Sequence, residues 1–370
     1  MALTKFILRK VRLPLKFAFK TAKTTLFTRE ILILEVQDDS GQSGYGECVA
    51  FSEPFYTSET QEMALTTLQN LDLSAISALW ESNQLEDLAS LFPEKLPMTQ
   101  ASLEMALLDL KTRKAGTNLV ESFFPQETLA SHVFAGSVLG EMPEAELLKQ
   151  TAILVEQGIH RIKFKISPTT NLKILKAIRN TYPDLQLAVD ANQSFSDYRK
   201  LLTLDELSLA CIEEALAPVA WQDYAPLSAQ LKTPLCFDER VLRLSDLQTL
   251  RQELPNPIWV NLKIGRLGGL YATREIIAYC KKENIPFWVG SMVESGLSKS
   301  LHLQLSALPG NAMPGDFADS AHYFEEDLIT PPIQFSAGNL KRPDGAGLGV
   351  TPNRKALENN TTAIYTRLFD

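Results

Sequence analysis

RIKFK (161–165), LQLAVD (185–190), ACIE (210–213), PLCFD (234–238) and IWVNLK (258–263) decide the fold. Each is a short apolar run rich in strand formers and closed by one charged side chain. The closing residues Lys165, Asp190, Glu213, Asp238 and Lys263 follow one another at steps of 25, 23, 25 and 25 residues. Such a step fits one strand plus one helix, the unit of a parallel sheet. Helical segments fill the gaps, among them TNLKILKAIRN (170–180), SDLQTLRQEL (245–254) and TREIIAYCKKEN (273–284). The same alternation gives candidate strands at 133–138, 161–166, 186–191, 210–214, 234–239, 258–264, 286–291 and 312–316. The spacing therefore predicts an α/β fold of TIM-barrel type, (β/α)7β-like. A doubly wound sheet is the competing architecture, but it seldom keeps so even a period. In a barrel the C-terminal strand ends share one rim, where active sites lie.

Outward from this stretch the pattern changes. KFILRKVRLPL (5–15) alternates, and REILILEVQDDSGQSGYGEC (29–48) reads as strands joined by a DDSGQSG hairpin turn. SETQEMALTTLQNL (58–71) opens with a Ser/Thr cap signal, and ASLEMALLDLKTRKAG (101–116) has helical spacing before a glycine stop. Three parts are expected: an α+β capping domain at 1–125, the catalytic barrel at 126–330, and a C-terminal tail at 331–370 returning to the capping domain.

The length of 370 residues provides ample core, and 45% hydrophobic with 22% charged residues describes a globular protein. A net charge of −8 without a basic run argues against nucleic acid as a partner. The four cysteines (Cys48, Cys211, Cys236, Cys280) lack CxxC spacing and read as reduced thiols. The N-terminus is too charged for a signal peptide and no apolar run reaches 18 residues, so a cytoplasmic protein with no membrane partner is expected. A homo-oligomer is compatible with the sequence.

Residues two apart in a strand share a face, so Lys163 points inward with Lys165, Cys211 with Glu213, Cys236 with Asp238 and Asn261 with Lys263. Alone, an aspartate at a strand end is more often a turn former or cap, and a strand lysine is usually solvated or ion-paired. Five such residues on one rim point to chemistry. Three carboxylates on successive strand ends form a hard-oxygen cluster suited to Mg²⁺, whose charge offsets their mutual repulsion. A lysine on either side would make this a metal-assisted proton-transfer site.

These residues bring the chain to a family. KFK at 163–165, DAN at 190–192, IEEALA at 212–217, DE at 238–239 and KIGRLGG at 263–269 resemble the motifs of the enolase superfamily, muconate-lactonising branch, over essentially the whole length. GECVAFSEPFYTSET (46–60), VGSMVESGLSKS (289–300) and PGDFADSAHYFEEDLI (314–329) are most similar to the subgroup that joins o-succinylbenzoate synthases with N-succinylamino acid racemases. The resemblance implies that Asp190, Glu213 and Asp238 hold Mg²⁺, with Mn²⁺ as an alternative. It makes Lys165 and Lys263 acid/base groups on opposite substrate faces, with Lys163 an auxiliary lysine whose charge keeps Lys165 partly deprotonated. The expected activity is Mg²⁺-dependent dehydration of a succinyl-hydroxycyclohexadiene carboxylate in menaquinone synthesis. N-succinylamino acid racemisation is the alternative, and a catalytically inactive binding protein a remote one.

The chain departs from the branch in three places. Gln-Pro after the metal glutamate is Glu214-Ala215 here. Alternation sends Glu214 to the outer face, so Glu213 is the expected ligand and Glu214 the alternative. The Pro of Lys-Pro-Gly-Arg is Ile264, and the Gly-Gly before Met is Gly290-Ser291. Asn192, Glu239, Ser291 and Ser137 are candidates for supporting the metal ligands or touching substrate. Loops 19–26 and 48–56 resemble segments that close over substrate, with domain packing equally compatible. Arg266 and Glu294 are read as rim residues, with a cap or ion-pair role as the alternative. Four scattered histidines disfavour a zinc site or a histidine triad.

Overall fold

The computed structural model describes residues 2–20, 24–93, 95–254, 256–318 and 320–369, so residues 21–23 of the loop 19–26 lie outside the described residues. Three antiparallel strands open the chain: β1 (Leu3–Lys20), β2 (Thr25–Asp38) and β3 (Ser43–Cys48). Asp38 shapes the β2–β3 turn by accepting the Ser40 and Gln42 N–H groups, each at 3.0 Å. Helices α1 (Gln61–Gln69), α2 (Leu73–Glu81), α3 (Pro97–Ala115) and α4 (Leu119–Phe123) follow. Thr60 caps α1, and Gly116 ends α3 at a φ of 67°. Helix α3 lies close on β3 because Gly44 and Gly46 carry no Cβ; a methyl group at either would collide with α3 backbone.

The second region runs β4 (His132–Phe134), β5 (Gly136–Leu139), α5 (Glu144–Glu156), β6 (Arg161–Lys165), α6 (Lys173–Thr181), β7 (Gln186–Asp190), β8 (Ile212–Glu213), α7 (Ala225–Gln230), β9 (Leu235–Phe237), α8 (Leu244–Glu253), β10 (Ile258–Leu262), α9 (Leu270–Glu283), β11 (Phe287–Val289) and α10 (Gly296–Ser306). Strands β5 to β11 form one parallel sheet in strictly sequential order. A doubly wound sheet reverses its order at a switch point, so that competitor is excluded and the sheet curls as a barrel.

Two expected strands differ. Candidate 133–138 divides into β4 and β5, which belong to different sheets. Candidate 312–316 is not a strand, because Pro314 offers no N–H and Gly315 favours no extended ladder. It still bridges the gap: Ala312 N–H donates to the Phe287 carbonyl at 2.7 Å, and Gly136 N–H to the Gly315 carbonyl at 3.0 Å.

The remaining elements are α11 (Ser320–Tyr323), β12 (Ile329–Thr330), β13 (Phe335–Ser336), β14 (Asn339–Lys341), β15 (Thr351–Pro352), α12 (Arg354–Asn360) and β16 (Thr361–Leu368). This tail divides its packing. The β13–β14 hairpin pairs with β4 beside the barrel, whereas β16 joins the capping sheet on β1.

Ala188, Cys211, Cys236, Trp288 and Met313 form a separate buried cluster. Alternation places the first three directly beneath Asp190, Glu213 and Asp238. The barrel is therefore plugged by small and aromatic side chains below a charged ring. Two buried glutamate carboxyl groups fasten the domains together across their interface. Glu104 of α3 accepts the Leu270 and Tyr271 N–H groups opening α9, and Glu47 of β3 accepts Ser295 N–H at 2.9 Å and Ser298 N–H at 3.2 Å opening α10. Both use helix N-terminal donors that have no partner within their own helix.

Candidate active site

Strand register builds the site. Lys165 pairs with Asp190, and Asp190 with Glu213, at one level across β6, β7 and β8. Asp238 and Lys263 immediately follow β9 and β10, continuing the ring. Lys165 Nζ lies 2.6 Å from Asp190 Oδ2 and 2.7 Å from Asn192 Oδ1. Lys263 Nζ lies 2.7 Å from Asp238 Oδ2. Lys163 Nζ sits deeper, 2.7 Å from Glu213 Oε2, 2.8 Å from Asp316 Oδ2 and 4.8 Å above the Trp288 ring. The Lys165 side chain is 22% exposed and that of Lys163 only 3%, so Lys165 is the more accessible of the two KFK lysines.

The charges are tightly balanced. Burial opposes the charge on Lys163, but Asp316, Glu213 and Asp190 more than offset it and hold the ammonium well above its usual range. Burial likewise works against Lys263, yet Tyr56, Glu239 and Glu213 push it up. For Asp190 burial favours the neutral acid, and Lys165 with Lys163 reverse this to hold it low. Glu239 is pushed up by burial and by Asp190. Asn192 Nδ2 links to Glu239 Oε1 at 3.2 Å, while Glu239 Oε2 is buried without a partner.

The three carboxylates carry the hard oxygens that suit a divalent cation, and Asn261 supports Glu213 Oε1 at 2.8 Å. Among the described residues, however, no three His, Cys, Asp or Glu side chains converge as a ready metal cage. The reason is visible: Asp190 and Asp238 are turned onto Lys165 and Lys263. Asp238 Oδ1 is also ion-paired with Arg266. The donor chemistry fits the ion; the lysines hold the oxygens.

The pocket above this ring is closed by Phe51, Phe55 and Tyr56 from the capping domain and by Val138, Met292, Val293 and Tyr323 from the barrel side. Loop 48–56 thus covers the site. The Tyr56 hydroxyl lies 3.2 Å from Lys263 Nζ, 3.1 Å from Arg266 Nη1 and 3.2 Å from Asp238 Oδ1. Asn192, Glu239 and Ser291 line the pocket, but Ser137 does not. Val138, its neighbour on β5, is in register with inward Lys163, so alternation turns Ser137 away.

Several residues acquire roles that strand-end spacing did not assign. Glu214 does leave the pocket face, but it is fully buried rather than solvent-facing. Its Oε1 accepts the Asp238 N–H at 2.7 Å, and burial with Glu239 pushes its carboxyl far up. Arg266 and Glu294 are buried hydrogen-bonding groups beside the pocket. Asp316 closes AMPGD (312–316) just as the five rim residues close their own runs, and that signal was present in the sequence.

Comparison with known proteins accords with this geometry. Residues 3–122 match the mandelate racemase/muconate lactonizing enzyme N-terminal domain, and residues 146–356 match the enolase C-terminal domain-like family. An o-succinylbenzoate synthase of Geobacillus kaustophilus is 34% identical over 98% of this chain and 96% of its own length. An N-succinylamino acid racemase of Thermus thermophilus is 34% identical over 93% of each chain. A crystal structure of an enolase superfamily member from Listeria innocua superposes with a TM-score of 0.93 at 30% identity, covering 100% of both chains. With a capping domain, a sequentially wound barrel and a rim of paired lysines and carboxylates, the chain belongs to the enolase superfamily, in its mandelate racemase/muconate-lactonizing group.

Proposed function

We propose that this chain is an o-succinylbenzoate synthase, dehydrating 2-succinyl-6-hydroxy-2,4-cyclohexadiene-1-carboxylate to o-succinylbenzoate in menaquinone synthesis. The observation that carries this reading is near-full-length similarity to o-succinylbenzoate synthases joined to a pocket with Lys165 and Lys263 on opposite sides of the acidic ring. Asp190, Glu213 and Asp238 would hold Mg²⁺, with Mn²⁺ an alternative. When bound there, the ion supplies positive charge to the substrate carboxylate, which favours charge developing as the α-carbon loses its proton.

The protein's residues divide the remaining work. Lys165, the more accessible lysine, removes the α-proton once freed from Asp190, and returns a proton to the departing hydroxyl. One C–H and one C–O bond break, water leaves, and the ring becomes aromatic. Lys263, held charged beneath Tyr56, stabilises the enediolate from the other face. Lys163 keeps Glu213 and Asp316 apart and adds fixed positive charge below the substrate. Phe51, Phe55 and Met292 exclude water.

Racemisation of N-succinylamino acids is the second reading, because relatives bearing that name match nearly as well and two opposed lysines can exchange a proton across one carbon. Purified protein with Mg²⁺ should be assayed for dehydration of the cyclohexadiene acid and for α-proton exchange of N-succinylamino acids. Dehydration abolished by Lys165→Ala is expected. Exchange alone overturns the synthase as principal activity, and loss of both points to a binding protein.

A further inference from the structure

Ser291 follows β11 and lines the pocket. Its side chain is held in a defined way. Ser291 Oγ lies 3.0 Å from Glu294 Oε2, which also accepts Met292 N–H at 2.5 Å, and Glu294 Oε1 lies 2.9 Å from His302 Nδ1. Glu294 and His302 are both buried, at 0% and 2% exposure. The turn they secure is strained: Val293, a β-branched residue, has a φ of 57°. Its N–H donates back to Ser291 Oγ at 3.3 Å.

These contacts fix the direction of every proton. Burial by itself would favour a neutral Glu294, but His302, Lys299 and the Met292 N–H overcome this and hold the carboxyl at about 2. An ionised carboxylate only accepts. His302 must therefore donate through Nδ1, and Ser291 must donate through its hydroxyl. A hydroxyl has one proton and two lone pairs. The proton is spent on Glu294 and one lone pair on Val293 N–H, which leaves one lone pair for the pocket.

We propose that Ser291 is a specificity-determining residue, an obligate hydrogen-bond acceptor that favours substrates carrying an O–H or N–H donor near the reacting carbon. Glu294 is its positioning residue. The assignment rests on the reading of the pocket given under Proposed function. The cyclohexadiene acid carries such a donor in its hydroxyl, and an N-succinylamino acid in its amide N–H. Ionised o-succinylbenzoate has lost the hydroxyl and offers neither. Ser291 therefore binds substrate in preference to product, and its contribution lapses when the C–O bond breaks. A carbonyl or carboxylate oxygen placed there would face a lone pair.

The test compares wild type, Ser291→Ala and Ser291→Cys with Mg²⁺ on both substrates, together with product inhibition by o-succinylbenzoate. Loss of one uncharged hydrogen bond corresponds to roughly five- to tenfold in affinity. Ser291→Ala should raise KM by about that factor for the substrate whose donor meets Ser291, leave kcat within about threefold, and leave the inhibition constant of o-succinylbenzoate within about twofold. Ser291→Cys, a weaker acceptor of similar size, should fall between. The arm that moves identifies the donor as hydroxyl or amide. Unchanged KM for both substrates, or product binding weakened as much as substrate binding, overturns the assignment while turnover by wild type leaves the enzymatic reading standing. No turnover of either substrate by wild type overturns that reading and this one with it.

Discussion

Glu214 Oε1 accepts the backbone N–H of Asp238 at 2.7 Å and that of Arg240 at 3.2 Å. A buried carboxyl just past β8 thereby orients the next rim residue from behind, while Glu213 beside it turns to Lys163 and Asn261. Burial and Glu239 raise its affinity for a proton, so a neutral acceptor of the same shape is expected to serve there. Glutamine supplies the same acceptor without a charge to desolvate. Glu214→Gln should keep its activity within about threefold and match or exceed wild-type stability. Glu214→Ala should raise the Mg²⁺ concentration for half-maximal activity by about 10–100-fold, the usual cost of losing a group that orients a ligand. Titrating activity against Mg²⁺ for the two variants decides this; equal curves would show that Asp238 needs no such support.

Lys163 should matter to stability as well as turnover. It bridges Glu213 and Asp316 at 2.7 and 2.8 Å in a site that is almost wholly buried. Lys163→Met removes the cation and leaves buried carboxylates facing one another, a change that costs about 3–5 kcal/mol. Urea unfolding in EDTA should show that loss, and excess Mg²⁺ should recover part of it through preferential binding to the folded state. An identical loss with and without Mg²⁺ would argue that Asp190, Glu213 and Asp238 do not hold the ion.

The barrel was legible because its parallel strands repeat one pattern, an apolar run closed by a charge. Asp190, Glu213 and Lys165 sit at one register for that reason. Strand alternation also placed Lys163 and the cysteine plug. It failed for 312–316, where Pro314 interrupts the ladder while the segment still closes the barrel. It also could not tell what the outer face meets: Glu214 turns away from the pocket as expected, yet meets the Asp238 backbone instead of water. Tyr56, Arg266 and Asp238 come together from a capping loop and two barrel loops, with 182 residues separating Tyr56 from Asp238. No local periodicity encodes such a meeting.

The Tyr56 hydroxyl gives a direct probe of that meeting. It lies within 3.2 Å of Lys263, Asp238 and Arg266. Tyr56→Phe keeps the ring against Phe51 and over Lys263 but removes the bridging oxygen. Stability should fall by only about 1 kcal/mol, the net worth of an ordinary hydrogen bond. Because the lost oxygen touches Lys263, kcat should fall about tenfold or more, with a smaller change in KM. A KM effect alone would mark Tyr56 as part of the cover without influence on the lysine.

The domain interface should make folding stability depend on pH. Burial pushes Glu104 up to about 8 although the Leu270 and Tyr271 N–H groups work the other way, and burial pushes Glu47 up to about 7 against its bonds from Ser295. In the unfolded chain both carboxyls titrate near 4.5. Between 4.5 and the folded values the native state holds protons that the unfolded state has released, so stability falls as pH rises. The contribution of each neutral acid is complete below 4.5 and is lost by about pH 7 for Glu47 and about pH 8 for Glu104. Glu294, held at about 2, titrates below this window and does not mask it. Glu104→Gln keeps an acceptor for the opening of α9 but cannot ionise. Its stability between pH 5 and 8 should therefore fall less steeply than wild type, by up to one proton's worth, about 1.4 kcal/mol per pH unit. Chemical denaturation across that range measures both slopes. Parallel slopes would mean that Glu104 is already ionised against the helix, with Leu270 and Tyr271 stabilising a charge rather than a neutral acid.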